Sequence, residues 1–283
     1  MFKGGVNYIY FGTPEFSAII LKNMVENGYS PTLVICNPDK PFGRKKIITP
    51  PPVKVVSLNY NLKIWQPEKL IPADFMHYVG NEKFGLLAAY GKIVPKEIIN
   101  FFPKGIIGVH PSLLPKYRGP TPIQSAILNG DKKTGVTLFL LDEFVDHGPI
   151  LSQAEIEIED EVDYEKLQKK LAELSAKLIL DNLEKFLSGS IKPLAQNEEL
   201  ATYTVKFKTE DGFIPEKELD EAISRGGVLA ESIFRKIRAL NPEPGAWSFY
   251  KGKRTKLLKA ELIDGRLKLQ KIQYAGKKPI ELS

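Results

Sequence analysis

The stretch that most limits how this chain can fold runs from Ile106 to Ile150, IIGVHPSLLPKYRGPTPIQSAILNGDKKTGVTLFLLDEFVDHGPI. Ile106-Ile107-Gly108-Val109 is a short apolar run of the kind that forms a buried strand, and His110 stands where that strand ends. The loop after it holds Pro111, Pro115, Gly119, Pro120 and Pro122, too many breakers for helix or sheet. A second strand is expected at 135–141, followed by the acidic segment Asp142-Glu143-Phe144-Val145-Asp146-His147-Gly148. Two strand ends would then present a histidine and a carboxylate from loops of the same kind. In an open α/β sheet, ligands bind in the crevice beyond the carboxyl ends of the strands. The chain has three histidines, His77, His110 and His147, and two of them fall here. On spacing alone, His110 as a strand cap and Asp146 as part of an Asx-type turn remain an open alternative.

The N-terminal region reads as strand, helix, strand. Val6 to Phe11 is continuously apolar and aromatic, Thr13 is placed as an N-cap with Pro14 as the first helical residue, and the helix runs to about Glu26 before Gly28. Pro31 to Cys36 supplies the next strand, so the unit predicts a right-handed parallel crossover. Only Gly12 stands where a dinucleotide fingerprint needs three glycines, which argues against NAD. Further strands are expected at 63–65 and 84–89. Residues 37–56 read as a long loop rich in proline, with basic residues Lys40, Arg44, Lys45 and Lys46 suited to gripping phosphates.

Length and composition narrow the class. A chain of 283 residues can build one large domain and a small one. The expected fold class is α/β, a Rossmann-like, mostly parallel sheet domain followed by a small OB-like β-barrel. The expected boundaries are 1–188, a linker at 189–207, and 208–283. No apolar segment approaches the roughly 20 residues that span a bilayer, and the N-terminus has no signal-peptide pattern, so the cytoplasm is the expected compartment. The single cysteine, Cys36, lies in an apolar run and reads as a small buried residue; no metal site is expected. Net charge is +6, and within 235–278 there are 13 basic residues against 3 acidic, the footprint of a polyanion partner or of a solvated lysine-rich face.

The clearest helix is 163–187, with Leu167, Leu171, Leu174 and Leu178 along one stripe. Residues 188–207 shift to Gly, Ser, Pro and polar types. A helix is expected near 216–240, with Leu229, Ile233, Ile237 and Leu240 on one face and Arg235, Lys236 and Arg238 off it. Short strands follow at 246–250, 256–262 and 266–272, joined by turns at Lys251-Gly252-Lys253 and Asp264-Gly265.

HPSLLPKYRGPTPIQ at 110–124 and LDEFVDHGPI at 141–150 resemble the folate-dependent formyltransferases, and the likeness extends over nearly the whole chain. The resemblance implies formyl transfer from 10-formyltetrahydrofolate to the amino group of methionine on initiator methionyl-tRNA; a monomer is the expected state. It makes His110 and Asp146 the catalytic residues. It places the reactive end of the folate beside Ser112, Leu113, Leu114 and Pro115, and the pterin ring against backbone groups of Ala89, Tyr90, Gly91, Lys92, Ile93 and Val94. It makes 37–56 the acceptor-stem insertion with Arg44 at its key arginine, and the C-terminal domain OB-like. Tyr117 and Arg118 read equally well as rim contacts or loop anchors.

One departure matters: the family carries an asparagine two residues before the histidine, and here that position is Gly108. An asparagine amide can donate to the oxyanion formed during transfer, whereas glycine has no side chain to do so. Three readings compete. The slot is filled by water or another side chain, with His147 nearest in sequence; or His110 alone supports the oxyanion; or the protein binds without turnover. An acceptor that is a small amine, an amino sugar or glycinamide ribonucleotide, would need neither the basic loop nor the basic C-terminal segment. On the first two readings, Gly108→Asn is expected to preserve or raise the rate.

Overall fold

The structure is a computed structural model and describes residues 6–43 and 46–282. Arg44 and Lys45 lie outside the described residues. By contacts the chain divides into two compact units. The first comprises residues up to Arg118 with Gly135–Glu155 and Gln168–Thr202; the second comprises Gly119–Thr134, Ile156–Leu167 and the chain from Tyr203 on.

The first unit is organised on a buried strand, β1 (Tyr8–Gly12), followed by α1 (Glu15–Glu26) and β2 (Leu33–Ile35). A hairpin of β3 (Lys40–Phe42) and β4 (Ile47–Thr49) leads to α2 (Pro52–Asn59), β5 (Ile64–Trp65), α3 (Pro72–Phe75), β6 (Phe84–Ala88), α4 (Lys96–Phe101) and β7 (Ile106–His110). After α5 (Pro122–Asn129), which belongs to the second unit, come β8 (Lys133–Leu140), β9 (Ile150–Glu157) and α6 (Tyr164–Leu187). The sheet order is β5-β2-β1-β6-β7-β8-β9. Pairing is parallel from β5 to β7, which fits strands that are apolar on both faces. Tyr8 stacks on Phe84 with ring centroids 5.2 Å apart, and Phe84 meets Phe186 of α6 edge-on. Each such side chain taken from water contributes about 1.5–3 kcal/mol. Cys36 is fully buried, and burial pushes its thiol up to about 11, as suits a packing residue.

Several expectations change. Thr13 is not the N-cap of α1: Pro14 occupies that position with extended backbone, and no side chain caps the helix. The Thr13 hydroxyl instead donates to the Tyr90 carbonyl at 3.2 Å and accepts from the Asn37 amide at 3.3 Å, joining three loops at the ends of β1, β2 and β6. The stretch 37–56 is a hairpin and a helix, not an unstructured loop. Its Pro41 faces Ile48 in a two-stranded ribbon, where a missing amide leaves no central ladder incomplete.

The most consequential change is at β8. It pairs with β7 antiparallel, Ile107 opposite Leu140 and His110 opposite Thr137. The loops after β7 and β8 therefore leave at opposite ends of the strands, and the expectation of two carboxyl ends side by side is overturned. Apolar runs do not encode strand direction.

The second unit carries β10 (Phe213–Ile214), α7 (Glu216–Ser224), α8 (Val228–Leu240), β11 (Trp247–Tyr250), β12 (Lys253–Ile263), β13 (Arg266–Tyr274) and β14 (Ile280–Glu281). They form a five-stranded sheet in chain order, antiparallel except for the β10–β11 pair. The turns at Lys251-Gly252 and Asp264-Gly265 have both residues at positive φ, the geometry of tight two-residue hairpins. The single helix expected at 216–240 is two helices, because Gly226 and Gly227 take φ of 80° and 78° between them. A Cβ on Gly226 would lie 2.3 Å from the Gly265 carbonyl, so the corner packs against the β12–β13 turn. The buried face of α8 includes Ile233, Ile237 and Leu240 as expected. Arg238, off that stripe, is nevertheless sequestered: it donates to the Val162 carbonyl at 2.7 Å and lies over the Phe234 ring.

Candidate active site

The site is best built from His110 outward. β7 ends on this residue, and its side chain is 7% exposed. Nε2 lies 2.8 Å from the Tyr117 carbonyl. A carbonyl can only accept, so Nε2 carries a hydrogen, and Nδ1 is the nitrogen left to take up or release a proton. Nδ1 faces Asp146 Oδ2 at 3.5 Å, a separation that catalytic pairs close on binding substrate. The structure thus brings together the two residues set 36 positions apart. Since the loop leaves β8 at the end away from His110, Asp146 meets His110 by that loop's return.

Asp146 has φ of 50°, a left-handed conformation that costs a non-glycine residue of order 1 kcal/mol unless its surroundings hold it. Two residues on, a Cβ at Gly148 would sit 1.8 Å from the Leu140 carbonyl, so the loop closes tightly onto the end of β8. His147 has carboxylate partners of its own. Its Nδ1 is 2.5 Å from Asp142 Oδ2, and its Nε2 is 3.5 Å from Glu198 Oε1.

Position 108 is closed. A Cβ there would lie 2.5 Å from the Phe139 ring and 2.7 Å from Leu141 Cδ1. Phe139 stands directly opposite Gly108 in the β7–β8 register, and its ring fills the space a side chain would take. The slot is thus filled by other side chains, though not by His147: the apolar Phe139 of β8 and Leu141 beyond its end occupy it.

The loop from Ser112 to Pro115 is tied down by its own contacts. The Ser112 hydroxyl donates to the Lys116 carbonyl at 2.6 Å. Thr137 Oγ1 donates to the Ser112 carbonyl and accepts from the Leu114 amide, and Gln153 Nε2 donates to the Leu114 carbonyl. Ser112 and Leu114 are buried, Leu113 and Pro115 half-buried. Along 89–94, Ala89, Gly91 and Ile93 are exposed, while Tyr90 and Val94 are buried and Lys92 donates to the Pro67 and Glu68 carbonyls. Asn37 Oδ1 and the Tyr90 hydroxyl are buried without a hydrogen-bond partner, the latter in the core beside Phe11. An ion pair of 2.9 Å between Lys96 and Glu143 brings the start of α4 against the acidic loop. Lys40 and Lys46 are exposed on the 40–49 hairpin.

Arg118 is a buried anchor. It is 1% exposed, and its guanidinium grips Glu198 with two contacts of 2.8 and 2.6 Å and Gln196 Oε1 with two of 3.1 and 2.8 Å. That hydrogen bonding holds the Glu198 carboxyl below its usual range. Gln196 and Glu198 escaped sequence reasoning, since polar residues in a polar stretch carry no signal. Among the described residues no group of three or more His, Cys, Asp or Glu could hold a metal ion, and no helix is long and apolar enough to cross a membrane. A groove of about 630 Å³ lined by Trp65, Glu68, His77 and Tyr78 shares no residue with the His110–Asp146 pair.

Residues 6–183 match the formyl transferase family and residues 228–266 its C-terminal domain. The methionyl-tRNA formyltransferase of Thermodesulfovibrio yellowstonii is 42% identical over 259 residues, covering 91% of this chain and 80% of that protein. The chain belongs to the formyl transferase family, among the methionyl-tRNA formyltransferases. The same enzyme of Ligilactobacillus salivarius is 39% identical over 89% of this chain and 77% of its own length. The solved methionyl-tRNA formyltransferase from Clostridium thermocellum shares the fold, with a TM-score of 0.63 at 22% identity over 98% of this chain and all of that one.

Proposed function

We propose that this protein transfers the formyl group of 10-formyltetrahydrofolate to the α-amino group of methionine on initiator methionyl-tRNA, acting as a monomer in the cytoplasm. The observation that carries this reading is the likeness, at 42% identity over nearly the whole chain, to a methionyl-tRNA formyltransferase. His110 Nδ1, beside Asp146, takes the proton that the amine loses as its nitrogen bonds to the formyl carbon. It returns a proton to the folate nitrogen as the bond to that nitrogen breaks. With position 108 closed by Phe139, support of the oxyanion falls to His110 once Nδ1 has taken the amine's proton: the new Nδ1–H donates to it until the intermediate collapses. The exposed backbone at Ala89, Gly91 and Ile93, over buried Tyr90 and Val94, receives the pterin; Ser112 to Pro115 flank the reactive end.

We assign residues 1–188 to the transfer, 189–207 to a linker, and 208–283, with the basic residues of 235–278, to tRNA binding. Lys40, Arg44, Lys45 and Lys46 grip the acceptor end. The test is formyl incorporation into methionyl-tRNA by the purified protein, beside gel shifts of charged and uncharged initiator tRNA. Formyl-methionine is expected, with binding that weakens steeply as salt rises. Binding without transfer would reduce the protein to a binder. Transfer only to an amino sugar or glycinamide ribonucleotide would move it to small amines.

A further inference from the structure

Gln196 lies outside every helix and strand, yet its side-chain amide is saturated. Nε2 donates to the Asp146 carbonyl at 2.9 Å and to the Gly148 carbonyl at 2.8 Å; Oε1 accepts from Arg118 Nε and Nη2. An amide offers two donor hydrogens and two acceptor lone pairs, and all four are engaged. Arg118 in turn is buried and fixed by Glu198. The neighbouring Thr202 holds the other side of the site: its Oγ1 accepts from the Tyr117 amide, and its carbonyl accepts from the Arg118 amide. Tyr117 is the residue whose carbonyl fixes His110. One short segment therefore braces both the loop that orients the imidazole and the loop that carries the carboxylate.

We propose that Gln196 is a positioning residue, a strut that fixes Asp146 against His110 by clamping the Asp146 and Gly148 carbonyls to the buried Arg118. The inference rests on the reading of His110 and Asp146 as the proton-handling pair. Without the clamp, the left-handed turn at Asp146 loses both carbonyl contacts from this side chain, and its carboxylate drifts relative to Nδ1.

Gln196→Glu isolates the effect, because the carboxylate still accepts from Arg118 but has no hydrogen to give either carbonyl. Single-turnover formylation of methionyl-tRNA is measured against pH for the wild type, Q196E, D146N and the double variant. Q196E is expected to lower kcat about tenfold or more, as a small misplacement of a reacting group does, with KM for the tRNA within about twofold. Its pH profile should shift in the direction D146N shifts it, and the double variant should be no slower than D146N alone. Losses that multiply in the double variant would overturn the proposal. So would a fall in rate that follows the folded fraction with an unchanged pH profile. If Q196E does not fold, Gln196→Asn, a methylene too short to reach both partners, is read by the same criteria. D146N as fast as wild type would sink the reading of the pair, and the strut with it.

Discussion

Two histidine–carboxylate pairs draw their carboxylates from the same loop after β8, and their surroundings differ sharply. His110 and Asp146 stand 3.5 Å apart with side chains 7% and 22% exposed; His147 and Asp142 stand 2.5 Å apart with side chains 39% and 32% exposed. The shorter contact is the weaker asset. Water screens an exposed pair, and holding two mobile side chains together offsets most of what remains. At His110 the imidazole is fixed by a backbone carbonyl and shielded from solvent, so a modest change in its partner is felt in full. Burial, not separation, ranks the two.

The comparison can be broken by substitution. His110→Ala should slow single-turnover formylation by about 10²- to 10⁴-fold, the range of a lost general base; near-normal turnover would remove it from the chemistry. Gly108→Asn comes next, and the packing at that position adds a stability cost to the expectation about its rate. The new side chain meets Phe139 at 2.5 Å, so overpacking should cost about 1–3 kcal/mol of stability, seen in a denaturant titration. In a Phe139→Ala background that further loss should shrink to the share due to Leu141; a full penalty in both backgrounds would place the clash elsewhere.

The third change touches the network between the pairs. Arg118 holds Glu198 below its ordinary range, so the ionised carboxylate stabilises the fold at pH above the ordinary glutamate value. That contribution is lost as pH falls through the depressed value. Glu198→Gln should therefore flatten stability against pH on the acid side, below about pH 4.3, and leave its form near neutrality alone. An unchanged acid limb in thermal melts would discount the ion pair. His147→Ala is expected to matter least, altering kcat by less than about threefold, since its pair is exposed. A loss as large as that of H110A would erase the distinction.

Much of this was legible in the chain because it is local. The apolar run ending at His110 and the breakers after it announce a strand and a loop, and the stripe on 163–187 announces a helix. What stayed hidden depends on register or on distant partners. Nothing in GVTLFLL says that its strand runs antiparallel to β7, and without that register Phe139 cannot be placed over Gly108. Thr13 looked like a cap because caps are read from the next few residues, whereas its partners are Asn37 and Tyr90. Arg118 was ambiguous between rim and anchor; its burial follows from Gln196 and Glu198, some 80 residues later.

The reversal of β8 also sets what this protein can tolerate. Were both strands parallel, a carboxylate at the end of each would reach the imidazole by sheet geometry, and the connecting segments could lengthen freely. Here reach is metered by the span from Leu141 to Pro149, whose ends are bound into neighbouring strands. Adding or removing one residue inside that span would retract Asp146 while leaving every strand in place. It works as a ruler.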